Sequence, residues 1–218
     1  MQSDSGVRKS RNRGKRMARG RAAGYDDQRQ AILDQAAQLF AHQGYPGTSM
    51  NQVADACGLS KATLYHYFRD KYSMLVSIAD GHVSRLQALV QAPASKAAPP
   101  RQQFEELIRR IVAAYADAEH AHRVLTEDVR FLESQDQARV LDKERQVVAV
   151  FARAVAAIRP ELDEAGLAKP LTMLLFGMIN WMFTWMKPDG ALTHEAMAPI
   201  VADLFLGGLP AVRIQPTL

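Results

Sequence analysis

The stretch Thr48–Lys71, TSMNQVADACGLSKATLYHYFRDK, decides how this chain folds. Val53, Ala54 and Cys57 fall at i, i+1 and i+4, one apolar stripe of a short helix. Ser49 is followed three residues later by Gln52, the spacing at which a hydroxyl caps one backbone N–H while the amide reaches back to another. Gly58 ends that helix, because a tight reversal needs positive φ. Ser60 then caps a second helix whose apolar residues, Leu64 and Phe68, sit one turn apart on one face. A small residue at Ala54 lets the two helices approach and Leu64 plugs the angle between them, which makes a helix-turn-helix. With Leu64 and Phe68 inward, the second helix shows Lys61, Ala62, Thr63, Tyr65, His66 and Tyr67 outward or at its rim. One cation, hydroxyls, an imidazole and two phenols on a surface helix suit phosphate oxygens and base edges. An ordinary helical hairpin with some exposed aromatics is the plain alternative, and it leaves the joint pattern unexplained.

Upstream, Ile32, Ala36, Leu39 and Phe40 recur at i, i+4, i+7 and i+8, predicting an amphipathic first helix from Asp27 to Gln43. Gly44-Tyr45-Pro46-Gly47 is dense in turn formers, with Tyr45 expected as a wedge beside the motif. Residues 1 to 24 hold eight basic residues against Asp4, a net of +7 in a chain of net +4, so the remainder is acidic at −3. That basic tail has almost no large apolar side chain and is expected to be disordered in isolation. Its position beside the motif suits it to track phosphates or reach a minor groove; a solubilising leader, or a true start at Met17, accounts for it equally well. The single cysteine excludes an internal disulfide, and Cys57 on the inner side of its helix reads as a small core residue rather than a redox sensor. No apolar leader precedes the tail, so a cytoplasmic chain is expected.

Downstream, Asp70 caps a fourth helix carrying Leu75, Ile78, Ala79, His82, Leu86 and Leu89 on one stripe, where His82 reads as a core or interface histidine. The run Pro93–Pro100, PASKAAPP, is the linker candidate, because proline interrupts a helix. Helices are expected over Arg101–Asp117, His122–Leu132 and Gln135–Ile158, the last ended by Pro160. His120 and His122, two apart, point nearly opposite ways on a helix and make a poor metal pair. Sixteen uncharged residues from Leu171 to Met186 fall short of the roughly twenty that span a bilayer. They predict a buried helix, apolar nearly all round, which a second copy of the chain covers; with a last helix over His194–Leu206 it forms an isologous four-helix interface. Both tryptophans and four of nine methionines lie between Pro170 and Gly190. Trp181, Trp185, Met178 and Met182 suit an adaptable apolar pocket and an interface equally.

The run G-Y-x-x-T-S-M-x-x-V-A-x-x-C-G-L-S-K-x-T-L-Y-H-Y-F-x-D-K, from Gly44 to Lys71, resembles the DNA-binding domain of the TetR family of bacterial transcriptional regulators. The resemblance implies an all-α protein of about nine helices: a tail over 1–24, a three-helix helix-turn-helix domain over 25–72, a larger ligand-binding and dimerisation domain over 73–210 and a short tail over 211–218. It implies a homodimer that binds a palindromic double-stranded DNA operator and releases it when a small molecule binds, with no membrane partner. In that arrangement Lys61, Thr63 and Tyr65 approach base edges, Ser49, His66, Tyr67 and Lys71 hold phosphates, Asn51 and Ala62 share the face, and recognition helices lie about 34–36 Å apart.

A narrower resemblance concerns the C-terminal half. His122–Leu132 (HRVLTEDVRFL), Phe176–Gly190 (FGMINWMFTWMKPDG) and Ala202–Leu209 (ADLFLGGL) are similar to TetR-family regulators of phenylacetate degradation, and relatives controlling fatty-acid and steroid catabolism share the Asn-Trp…Trp pattern. Met186 departs from it where an aromatic residue is expected. The implied effector is an acyl- or aryl-coenzyme A thioester, phenylacetyl-coenzyme A first among them, its acyl end among Phe131, Met178, Trp181, Met182 and Trp185. Arg130, Arg109, Arg110 or Arg123 would meet its phosphates. No resident cofactor or metal is expected. Two rivals are a repressor of an efflux gene answering to an unrelated hydrophobic ligand, and an enzyme using Glu127, Asp128 and the histidines; no nucleophile, metal spacing or phosphate loop supports the enzyme.

Overall fold

A computed structural model describes residues 6–92, 98–186 and 190–214, with side chains from Gly24 onward. Among the described residues there are ten α-helices and no strand. The chain divides into two compact units, Met1–Ile78 and Ala79–Leu218.

In the first unit, α1 (Gly6–Gln43), α2 (Met50–Ala56) and α3 (Lys61–Tyr67) are followed by the start of α4 (Lys71–Gln91). Their inward side chains are those the apolar spacing selects: Ile32, Ala36 and Phe40 from α1, Val53 and Ala54 from α2, Leu64 from α3, then Phe68, Met74, Leu75 and Ile78. Fully burying a side chain of this size contributes about 1.5–3 kcal/mol, so one such cluster can hold three short helices together. The ends follow the sequence closely. Ser49 and Gln52 form the reciprocal capping box, Thr63 N–H donates to the Ser60 hydroxyl at 3.1 Å, and Ser73 N–H donates to the Asp70 carboxylate at 2.7 Å. Gly58 holds φ +63°, the left-handed turn that lets Leu59 N–H reach Ala54 C=O at 2.9 Å. Tyr45 packs edge-on against Phe40, as a wedge should. Two expectations change. Helix α1 continues back to Gly6, well upstream of Asp27, since no proline interrupts residues 6–43 and Arg, Lys, Ala and Gln are strong helix formers. Cys57 is half-buried at the end of α2 rather than in the core.

The second unit holds most of α4 with α5 (Pro100–Asp117), α6 (Glu119–Glu127), α7 (Ser134–Ile158), α8 (Glu161–Glu164), α9 (Ala168–Trp185) and α10 (His194–Gly208), plus single 3₁₀ turns at Val129–Phe131 and Leu209–Ala211. Helix α5 packs on α10 and α7, and α7 packs on α9. An aromatic column fills the space between them: Phe104 stacks on Phe205 at 5.4 Å, and Phe151 meets Phe104 and Phe176 edge-on at 6.0 and 5.0 Å. Asp80 on α4 takes Lys143 Nζ at 2.7 Å and Arg139 Nε at 3.1 Å from α7. Arg159 donates to the carbonyls of Leu209 and Val212, pinning the chain beyond α10. Residues 93–97 of the expected linker and 215–218 of the expected C-terminal tail lie outside the described residues, while Pro100 opens α5. The short α8 has no sequence counterpart, because four residues show no helical period. No described helix is long and apolar enough to cross a membrane.

Candidate nucleic-acid interface and ligand cavity

Helix α3 turns Leu64 completely inward and leaves Lys61, Ala62, Thr63, Tyr65 and His66 exposed, with Tyr67 half-buried at the rim. Ser49 and Asn51, at the start of α2, are exposed as well. The Lys61 ammonium hovers 6.0 Å over the Tyr65 ring, and the Thr63 hydroxyl lies 2.8 Å from that of Ser60. The Ser49 hydroxyl is already engaged with Gln52, so what it has left for a phosphate is its second lone pair and its backbone neighbourhood.

Sequence reasoning missed Tyr25. Its ring stacks on Tyr67 at 4.7 Å and meets His66 edge-on at 6.1 Å, bracing the outer end of the α3 face from α1. Tyr25 lies off the apolar stripe of its helix and is partly exposed, so periodicity marks it only as solvated.

Lys71 requires a correction. Its ammonium donates to the carbonyls of Tyr45 at 2.6 Å, Thr48 at 2.7 Å and Pro46 at 3.3 Å, and sits 4.3 Å over the Tyr45 ring. These carbonyls belong to the turn before α2, where α1 ends at Gly44 with φ +79°. Lys71 is therefore an internal clamp on that turn, with its three donors committed, and not a free phosphate contact.

In the second unit, α4, α6, α7 and α9 enclose a cavity of about 860 Å³, within the range of small-molecule sites. Its wall is mainly apolar: Val83 and Leu86, Leu125 and Val129, Val147, Val148 and Ala152, Met173 and Phe176. The charged lining is Glu144, Arg145, Arg153, Asp163 and Lys169; of these only Glu144 is substantially withdrawn from solvent. Burial pushes the Glu144 carboxyl above its ordinary range, opposed by the charge of Arg145.

The polar lining is a stack. His122 lies face to face with Tyr115 at 3.5 Å between centroids, and its Nδ1 is 3.4 Å from Nε2 of His82 on α4. Burial holds His122 down at about 3, helped by neighbouring His82 and opposed by the Asn180 carboxamide; burial, then Arg85, hold His82 at about 4. Both rings are neutral at pH 7. The Tyr115 phenol is pushed upward by burial and by Glu144, so it too stays neutral. Three buried atoms here have no hydrogen-bond partner: His122 Nε2, Asn180 Oδ1 and His82 Nδ1.

The effector residues expected from the sequence are elsewhere. Trp181 and Trp185 are 67% and 49% exposed, Met178 lies beside them on the same outer face of α9, and Met182 is packed in the core. Arg130 is exposed with its guanidinium 4.9 Å over the Phe131 ring, and neither lines the cavity. Nor do Arg109, Arg110 and Arg123, which pair with Glu106 and Glu127 on their own helices. The reason is angular: α9 is apolar all round, so its composition does not say which side is inward, and the cavity takes Met173, Phe176 and Asn180 while Leu174, Met178, Trp181 and Trp185 point out. No cluster of three or more His, Cys, Asp or Glu suited to a metal occurs among the described residues.

Comparison with known proteins agrees with both units. Residues 32–78 match the family model described as bacterial regulatory proteins, tetR family, and residues 97–209 match the tetracyclin repressor-like C-terminal domain. The chain belongs to the TetR family. This TetR-family regulator is 33% identical to a TetR-family transcriptional regulator from Bordetella parapertussis 12822, with TM-score 0.76 over 85% of this chain and 97% of that one. It is 26% identical to the transcriptional repressor KstR of Mycobacterium tuberculosis across 72% of this chain and 71% of KstR. It also resembles apo AibR at 25% identity and TM-score 0.68, over 81% of this chain and 97% of AibR, a protein also solved in complex with isovaleryl coenzyme A and operator DNA. As a member of this family it is a DNA-binding regulator and not an enzyme.

Proposed function

We propose that this regulator is a homodimeric repressor of an aromatic or fatty-acid catabolic operon, released from a palindromic operator by an acyl- or aryl-coenzyme A thioester. Phenylacetyl-coenzyme A is the first effector to test. The observation that carries the reading is the cavity: an apolar interior for an acyl group, with Arg145, Arg153 and Lys169 at its exposed lining for the anionic remainder. KstR and AibR, which bear on repression and on a coenzyme A thioester respectively, support it by similarity.

DNA is met by Lys61, Thr63 and Tyr65 at base edges and by Ser49, Asn51, His66 and Tyr67 at phosphates, with Ala62 allowing close approach. The dimer forms through the outer faces of α9 and α10, where Leu174, Trp181 and Leu204 are 66%, 67% and 67% exposed. A contiguous apolar face of this kind is what a partner subunit covers. The effector acts by binding the operator-incompetent state more tightly; a tenfold shift in operator affinity needs about 1.4 kcal/mol of differential affinity.

A mobility-shift titration on DNA upstream of the chain's own gene, with phenylacetyl-, isovaleryl- and palmitoyl-coenzyme A in parallel, tests this. Release by any thioester supports the class, and release by phenylacetyl-coenzyme A alone supports the narrow assignment. Glu144 favours a second reading, an efflux-type repressor sensing a lipophilic cation, because a half-buried carboxyl in an apolar wall suits positive charge. Release by tetraphenylphosphonium and not by thioesters would establish that reading instead.

A further inference from the structure

The deepest polar feature of the cavity is a pair of side chains from two helices, His122 on α6 and Asn180 on α9. His122 is only 4% exposed, and its Nε2, like Asn180 Oδ1, is buried without a hydrogen-bond partner. Buried polar atoms left unpaired cost about 1–3 kcal/mol each, so a fold that keeps two side by side in a ligand-sized cavity is arranged for a third group. The other nitrogen of His122 is already spoken for. Its Nδ1 faces Nε2 of His82 at 3.4 Å, and the ring is held rigidly between that contact and the Tyr115 stack. A neutral imidazole carries one proton. When His82 Nε2–H donates to His122 Nδ1, the His122 proton must sit on Nε2, which then faces the cavity as a donor. The Asn180 carboxamide supplies a second N–H when turned toward the same point.

We propose that His122 and Asn180 together bind the carbonyl oxygen of the effector, and that this carbonyl, more than the length of the apolar chain, is what the cavity selects. The inference rests on the thioester reading above and adds to it the atom that is recognised. Neither group carries charge at neutral pH, so the pair selects a neutral acceptor over a carboxylate or an ammonium. The apolar walls from Val83, Leu86, Leu125 and Phe176 accept the rest of the acyl group without fixing its shape. A hydrogen-bonding site of this kind rejects an analogue that lacks the acceptor, because the buried donors are then left unpaired, whereas a missing methylene is tolerated.

The test is calorimetric titration of the full-length protein with phenylacetyl-coenzyme A and with its thioether, S-(2-phenylethyl)-coenzyme A, which keeps the ring and chain and lacks only the carbonyl. The wild-type protein should bind the thioester roughly tenfold or more tightly than the thioether. In His122→Phe, which keeps the stack on Tyr115, and in Asn180→Leu, that ratio should fall toward unity, and His122→Gln should restore part of it. Thermal melts of each variant show which are folded, and either variant alone suffices. Equal binding of both compounds by the wild type would leave the thioester reading standing and overturn the carbonyl contact. A preference that persists unchanged in the folded variants would overturn it too. Failure of both compounds, and of the isovaleryl pair, to bind would remove the thioester reading and this inference with it.

Discussion

Lys71→Met distinguishes a structural clamp from a DNA contact, two roles that the sequence alone cannot separate. The Lys71 ammonium holds the carbonyls of Tyr45, Thr48 and Pro46 at 2.6, 2.7 and 3.3 Å. Methionine keeps the length of the apolar stem and removes the charge and all three donors. A hydrogen bond to a charged group contributes about 1.5–3 kcal/mol, the contact over the Tyr45 ring adds about 0.5–1, and the half-exposed carbonyls recover part of this from water. A net loss of about 2–3 kcal/mol is expected, which for a chain of this size lowers Tm by about 4–12 °C. Operator affinity should fall at every salt concentration, because the turn that places α2 loosens, while the slope of log K against log[salt] stays as in the wild type. A phosphate contact behaves the other way, with the slope shallower by about 0.9 and the melting temperature little changed. Differential scanning calorimetry together with operator titrations at three salt concentrations reads both quantities. An unchanged Tm with a shallower slope would refute the clamp.

Three further outcomes are expected. Lys61→Ala should cost about 1–3 kcal/mol of operator affinity and relax sequence preference at one position if Lys61 makes a bidentate base contact; uniform weakening across operator variants would make it a phosphate contact. Trp181→Asp should convert the dimer to monomer in sedimentation experiments, since it places a carboxylate in the exposed apolar face of α9, and a variant that stays dimeric would move the interface elsewhere. Glu106 is held down to about 2, first by the hydrogen bond from Arg109, against opposing burial, with Arg110 adding to the effect. Its folded-state value lies below the ordinary 4.5, so the stability it contributes is present above about pH 4.5 and is lost as pH falls toward 2. Glu106→Gln should therefore flatten the acid limb of a Tm-against-pH curve, and an unaltered limb would show that the pair contributes nothing.

Much of the first unit is legible from residue order alone. Caps, turn glycines and apolar stripes are local signals, and Ser49, Gly58, Ser60, Leu64 and Asp70 each do what their neighbours in the chain dictate. The outward face of α3 follows by subtraction, because burying Leu64 leaves Lys61, Thr63 and Tyr65 nowhere else to point. Lys71 and Tyr25 escape this logic. Their roles depend on partners far away in sequence, the carbonyls near Tyr45 for one and the rings of α3 for the other.

For the second unit the sequence determined the helices and their composition, and only the tertiary structure decided which side of each one is inside. Helix α9 is the clearest case: with apolar residues on every side it has no preferred face of its own, so the packing of α7 and α10 chooses. That choice sends Trp181 outward and Asn180 inward. It likewise brings His82 and His122 together from helices that share no local pattern. A stripe is visible in sequence when one face is polar; where all faces are apolar, or where a buried polar pair spans two helices, only the assembled core supplies the missing direction.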